Sequence, residues 1–221
     1  MVLSHTAHAY MFNDPIGDRI GGAIYEIYGM DIKQTGSNFV FDLFSNYTGS
    51  NTVGAWTTLP ADFAISVDGD SSDYEYGVAF RNHSSTDNPT VLKGDLYRID
   101  KSLNNASGGI VNGWYISDHY APSAGYGYNH DKPVGIGGGT WLKNVNVTWN
   151  SIGMSPDWKV SFALEANDFL VNNEHAFDFF VGSATCANDF MDGHVNVIPE
   201  PASIIMMIMG LFGFGFFKKR V

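Results

Sequence analysis

Apolar and polar residues alternate with a period of two through much of the chain. Tyr74, Tyr76, Val78 and Phe80 fall on one side of their run, with Glu75, Gly77 and Arg81 on the other. Phe63, Ile65 and Val67 alternate with Ala64, Ser66 and Asp68, and Phe39, Phe41 and Leu43 share a side, as do Trp158, Val160, Phe162 and Leu164. Trp141, Val145, Val147 and Trp149 also share one parity. Side chains of a strand point alternately to its two faces, so this pattern predicts strands buried on one face. No body segment of similar length shows the three-and-four spacing of a helix, and turn formers such as the run DGDSSD separate the strands. The predicted fold class is all-β: an antiparallel β-sandwich of jelly-roll or lectin-like type. A short helix is expected around Glu165 to Leu170, and a single hydrophobic helix at the C-terminus.

Composition agrees with this pattern and adds a compartment. The chain has 221 residues, 16% of them charged and 14% aromatic, with 25 glycines and a formal net charge of −11. That is enough chain for one domain with a real core. Three of its 12 basic residues are Lys218, Lys219 and Arg220, so the body is more acidic still. Such a surface repels phosphate backbones, which argues against a nucleic-acid partner. Cys186 is the single cysteine, so no intrachain disulfide forms.

Both ends carry signals. Ala7-His8-Ala9 has the small residues that signal peptidase requires, which places a cut before Tyr10 and predicts residues 1–9 to be the remnant of a truncated signal peptide. At the other end, Ala202 to Phe217 is an uncharged apolar run, predicted to be a transmembrane helix although short of the ~20 residues of a full span. Lys218, Lys219 and Arg220 would stay on the cytoplasmic side, leaving the body beyond the membrane. Pro199-Glu200-Pro201 stands just before the run. Proline lacks an N–H and disfavours helix in the residue before it, so this motif is expected to be extended.

Motif, apolar run and basic terminus together resemble the PEP-CTERM sorting signal, a tail also known as the ice-binding-protein C-terminal domain type. The resemblance covers Val197 to Val221. It implies recognition by a membrane-embedded exosortase, a cut near the motif, and anchoring in the inner membrane of a Gram-negative bacterium before release to the cell surface or beyond. The body resembles exosortase-dependent surface proteins more loosely, through Gly17-Asp18, the segment DFAISVDGDSSDYEYGVAF, Gly94-Asp95-Leu96-Tyr97 and the run Ala184 to Asp189. The expected organisation is a leader remnant over 1–9, a sandwich body over 10–196 and a sorting tail over 197–221.

Two stretches of the body carry candidate chemistry. Asp68, Asp70 and Asp73 crowd one turn and offer the oxygens that Ca²⁺ takes, although Gly69 and Ser72 break an EF-hand pattern and a solvated turn is the competing reading. Trp114, Tyr115, Tyr120, Tyr126 and Tyr128 could give flat faces to a saccharide, with Asp118, His119, Asn129, His130 and Asp131 as hydrogen-bonding groups. The same aromatics also suit a sandwich core. Glu165 with Asp168, or Glu174 with Asp178, could pair as in glycosidases. No HExxH or GxSxG motif is present. The expectation is therefore a non-enzymatic surface or matrix protein, with a carbohydrate-binding lectin-like module as the alternative and a secreted glycan hydrolase third. Its expected partners are exosortase, the inner membrane and extracellular polysaccharide.

Overall fold

Strands form where the alternation is strongest, and every pairing between them is antiparallel. In the computed structural model, residues 7–16, 22–47, 51–53, 56–70, 73–83, 90–99, 110–111, 113–116, 132–153, 156–172, 174–183 and 189–198 are described. In chain order the strands are β1 (Ala7–Asn13), β2 (Ile27–Thr35), β3 (Asn38–Ser45), β4 (Asn51–Val53), β5 (Trp56–Thr58), β6 (Phe63–Ser66), β7 (Tyr76–Val78) and β8 (Asp95–Ile99). They continue with β9 (Ile110–Val111), β10 (Trp114–Ile116), β11 (Pro133–Ile136), β12 (Gly139–Asn144), β13 (Thr148–Ser151), β14 (Trp158–Glu165), β15 (Ala176–Gly182) and β16 (Phe190–Asn196). The one α-helix among the described residues, α1 (Ala166–Phe169), lies in the predicted place. Asp168 Oδ2 accepts the Glu165 N–H at 2.7 Å and closes a capping box at its start.

A five-stranded sheet runs β1-β2-β3-β14-β13 and a six-stranded sheet runs β12-β8-β7-β6-β15-β16. They share one core. Phe39 and Phe41 of β3 and Phe162 of β14 meet Phe63 of β6 and Phe177 and Phe179 of β15. Phe41 stacks on Phe162 at 4.7 Å between ring centroids and meets Phe63 edge-on at 5.4 Å. Offset and edge-on pairs of this kind add to the area term, which is ~1.5–3 kcal/mol for each fully buried large apolar side chain. On the far side of the six-stranded sheet, a three-stranded sheet, β11-β10-β9, covers Ala64, Tyr97, Ile99 and Phe180 with Trp114 and Ile136.

Two glycines permit close approaches. A Cβ on Gly77 would stand 2.6 Å from the Trp114 ring and 2.9 Å from Ile136, so the small sheet sits directly on β7. A Cβ on Gly193 would stand 2.7 Å from both Phe12 and Phe179, which meet edge-on at 4.9 Å above it.

The expected parity fails in two places. Tyr76, Val78 and Phe80 point into the shared core, but Tyr74, outside the strand, packs in the other cluster. Trp141 and Trp149 do not share a face. The pairing of β12 with β8 shifts between Trp141 and Lys143, and the chain then leaves β12 in one sheet for β13 in the other. An extra residue in a strand re-aims the side chains after it.

Ala7, His8 and Ala9 pair with Thr35, Gln34 and Lys33, so the cut expected before Tyr10 falls inside β1. Among the described residues no helix is long and apolar enough to cross a membrane. The expected helix from Ala202 to Phe217 lies outside them, as do Pro199, Glu200, Pro201, Lys218, Lys219, Arg220 and Cys186.

Candidate functional site

Of the two readings open for Trp114, a saccharide face or a core residue, the structure shows the core residue. Its side chain is 3% exposed, its Nε1 donates to the Tyr74 carbonyl at 2.9 Å, and its ring meets Tyr74 edge-on. The cause is the position of β10, the middle strand of the small sheet, whose apolar side is pressed onto Gly77. Tyr115 is half-buried on the next position of the strand, opposite Gly135. Tyr120, Tyr126 and Tyr128, with Asp118, His119, Asn129, His130 and Asp131, lie outside the described residues.

The acidic turn also closes on itself. Asp68 Oδ1 accepts the Asp70 N–H at 2.9 Å and the Ser66 hydroxyl at 3.3 Å, and the Asp73 N–H donates to the Asp70 carbonyl at 3.0 Å. That is a side chain completing its own turn. Among the described residues no group of three or more His, Cys, Asp or Glu converges as a metal-ligand set.

The two acid pairs are likewise held locally. Asp168 bonds the Glu165 N–H and the Lys143 ammonium, the latter at 2.7 Å. Asp178 bonds His194 at 2.6 Å. Glu174 accepts the Asn172 N–H at 2.7 Å. For Glu174, partial desolvation would raise the pKa, but hydrogen bonds from its own backbone and from Asn172 hold it below the ordinary value.

Asp62, Asp95 and Asp189 stand in the motifs quoted above, but nothing in the sequence marks the buried, organising role that the structure shows for them. Asp62, fully buried before β6, accepts the Phe80 N–H on Oδ1 at 3.0 Å. Its Oδ2 accepts the Ile136 N–H at 2.9 Å and lies 2.8 Å from His83 Nε2. Arg81 stands nearby with Nε donating to the Pro60 carbonyl at 2.6 Å, and burial pushes its pKa down despite the Asp62 charge. Asp189 performs a similar task at the other end, its Oδ2 accepting the Ile27 N–H at 2.6 Å and so tying β2 to the start of β16.

Asp95 is another buried carboxylate, at the β8 edge. Its Oδ2 accepts the Leu92 N–H at 3.0 Å, and its Oδ1 accepts Trp141 Nε1 at 3.1 Å and Asn144 Nδ2 at 3.2 Å. Trp141 is 54% exposed, in contrast with Trp114. The only sequence signal for this was GTWLKN, where a bulky aromatic precedes a second apolar residue and breaks the alternation.

Searches against protein-family profiles, curated proteins and solved structures found no match to this chain. The resemblance of the tail therefore rests on its residues alone.

Proposed function

We propose that this chain is an exported, exosortase-processed protein of the cell surface or extracellular matrix, whose body has a non-enzymatic structural or interaction role. The observation that carries the reading is the ordered tail: Pro199-Glu200-Pro201, the apolar run Ala202 to Phe217, then Lys218, Lys219 and Arg220. An oily helix closed by positive charge is a membrane handle, and an extended segment before it suits a protease or transpeptidase cleft. The body reads best as a β-sandwich of jelly-roll or lectin-like type, since its two large sheets share a phenylalanine-rich core.

The way the body ends supports a separable tail. The Ile198 N–H donates to Gln34 Oε1 at 3.1 Å, and Gln34 Nε2 donates back to the Ile198 carbonyl at 2.8 Å. The Tyr10 hydroxyl bonds the Asn196 carbonyl, and the Val197 N–H bonds the His175 carbonyl at 2.7 Å. The backbone is thus held up to the residue before Pro199, so a cut at the motif would spare every one of these bonds. The acid pairs, each spent on a local partner, support the non-enzymatic part of the reading.

Mass spectrometry of the native protein from the cell surface and medium tests it. A mature C-terminus at or beside Pro199 to Pro201 is expected, with Arg220 absent. Recovery of the intact chain from the cell interior, dissolved without detergent, overturns it.

A further inference from the structure

We infer that Trp141 is a stacking platform for a pyranose ring, so that the β8–β12 edge binds a neutral polysaccharide. The inference does not depend on the export route, and it uses none of the aromatics first considered for such binding.

The platform is built rather than incidental. Trp141 stands on β12, an edge strand of the six-stranded sheet, and is 54% exposed. An exposed indole normally wags about two torsions and hydrogen-bonds water through its N–H. Here the N–H is fixed to Asp95 Oδ1, and Asp95 is itself buried and bonded to Leu92 and Asn144. The ring is therefore preorganised, with little conformational entropy left to lose on binding. Its polar edge is satisfied inward, which leaves the apolar ring as its means of contact. The local shift in pairing between Trp141 and Lys143 carries the strand past the expected alternation at this point. Bulges at sheet edges recur where a side chain has to be re-aimed.

The surroundings select the occupant. Leu92 and Leu142 are exposed apolar neighbours along the same edge, but a single ring and two leucines fall far short of the ~1,200 Å² of a stable protein interface. The rest of the edge is polar and bonded within the protein: Asn144 Nδ2 donates to the Lys93 carbonyl and to Asp95, its Oδ1 accepts the Asn146 N–H, and the Lys93 N–H donates to Asn82 Oδ1. One fixed, flat apolar face set in a polar edge matches the apolar C–H face of a sugar ring, whose hydroxyl rim stays in water. A net charge of −11 disfavours a polyanion, so the polymer is neutral.

Affinity gel electrophoresis of the full chain in mild detergent tests this, with dextran, xylan, mannan, mixed-linkage β-glucan and alginate cast into separate gels. Retardation by at least one neutral polymer is expected, weakened at least about tenfold by Trp141→Ala. Trp141→Phe, which keeps a flat ring without the N–H, is expected to retain part of the binding. Melting curves of both variants check that the fold is intact. No retardation in any neutral gel, equal retardation of Trp141→Ala, or retardation by alginate alone each overturns the proposal. None of these outcomes bears on the mature C-terminus, so the export reading stands or falls separately.

Discussion

The two faces of the six-stranded sheet are covered by different means. Its inner face, with Phe63, Tyr76, Val78, Leu96, Phe177 and Phe179, meets a second large sheet across a layer of packed rings. Its outer face, with Ala64, Tyr97, Ile99 and Phe180, is covered in part by β9, β10 and β11, whose strands are two to four residues long. A large facing sheet is held mainly by area and ring packing, with a few hydrogen bonds such as Asp189 to Ile27 added at its margin. A sheet this small buries too little for that, and fixed hydrogen bonds set its place: Ile136 N–H to Asp62 and Trp114 Nε1 to the Tyr74 carbonyl. Stability on one side is distributed, and on the other it is concentrated in a few polar atoms.

The comparison predicts unequal losses on the two sides. Phe41 is fully buried between Phe39, Phe63, Phe162 and Phe177. Phe41→Ala leaves a cavity that the rigid strands cannot close, and a loss of about 3–5 kcal/mol is expected in denaturant titration. A loss below about 1 kcal/mol would mean that the rings are not the main support of the inner layer.

On the outer side, Asp62→Asn keeps the shape but replaces one acceptor oxygen with a donor. Whichever way the amide turns, an NH₂ group faces the N–H of Phe80 or of Ile136. A loss of about 2–3 kcal/mol is expected, and it should be regional: hydrogen exchange should rise at Ile136 and Phe80 while Phe41 and Phe162 stay protected. Uniform exchange across both faces would show that the small sheet is no separate unit.

Much of the inner layer was legible from the chain, and much of the outer was not. Period-two runs such as Phe39–Phe41–Leu43 and Val160–Phe162–Leu164 declare one buried face because water lies on the other, and the structure puts those residues in the shared core. Trp114 and Trp141 were not legible. A tryptophan in a short strand of two or three residues offers no alternation to read, and one next to a bulge offers a misleading one. The buried roles of Asp62, Asp95 and Asp189 were hidden because an aspartate beside glycines or at a strand end reads as a turn residue. Only the folded chain shows which N–H groups it meets.

The seat of the small sheet on β7 allows a more local test. Gly77→Ala would set a methyl group 2.6 Å from the Trp114 ring, closer than carbon atoms pack, and both Trp114 and Ile136 are buried. Overpacking of this kind costs about 1–3 kcal/mol. A change in Trp114 fluorescence should accompany it, since the indole must shift from the Tyr74 carbonyl. An unchanged melting point and spectrum would place the small sheet away from β7.

The smallest expected effect concerns Tyr74, which packs in the outer cluster against Trp114 and Phe180. Burial first, and then the Asp192 and Asp178 carboxylates, push its phenol pKa well above the ordinary 10.0. The folded chain therefore holds this proton more tightly than the unfolded chain does. Below about pH 10 both states keep it, and its contribution to stability is complete; as the pH rises further the unfolded chain releases the proton first, and stability falls. The pKa values of Tyr76 and Tyr97 are raised too, burial being the leading cause in both, so the wild-type protein should lose stability along the whole alkaline limb. Tyr74→Phe removes one ionisation and leaves the ring contacts, so its melting temperature should decline less steeply between about pH 9 and 11. Parallel curves would mean that Tyr74 releases its proton as easily folded as unfolded, and that the outer layer is open to water where the inner layer is sealed.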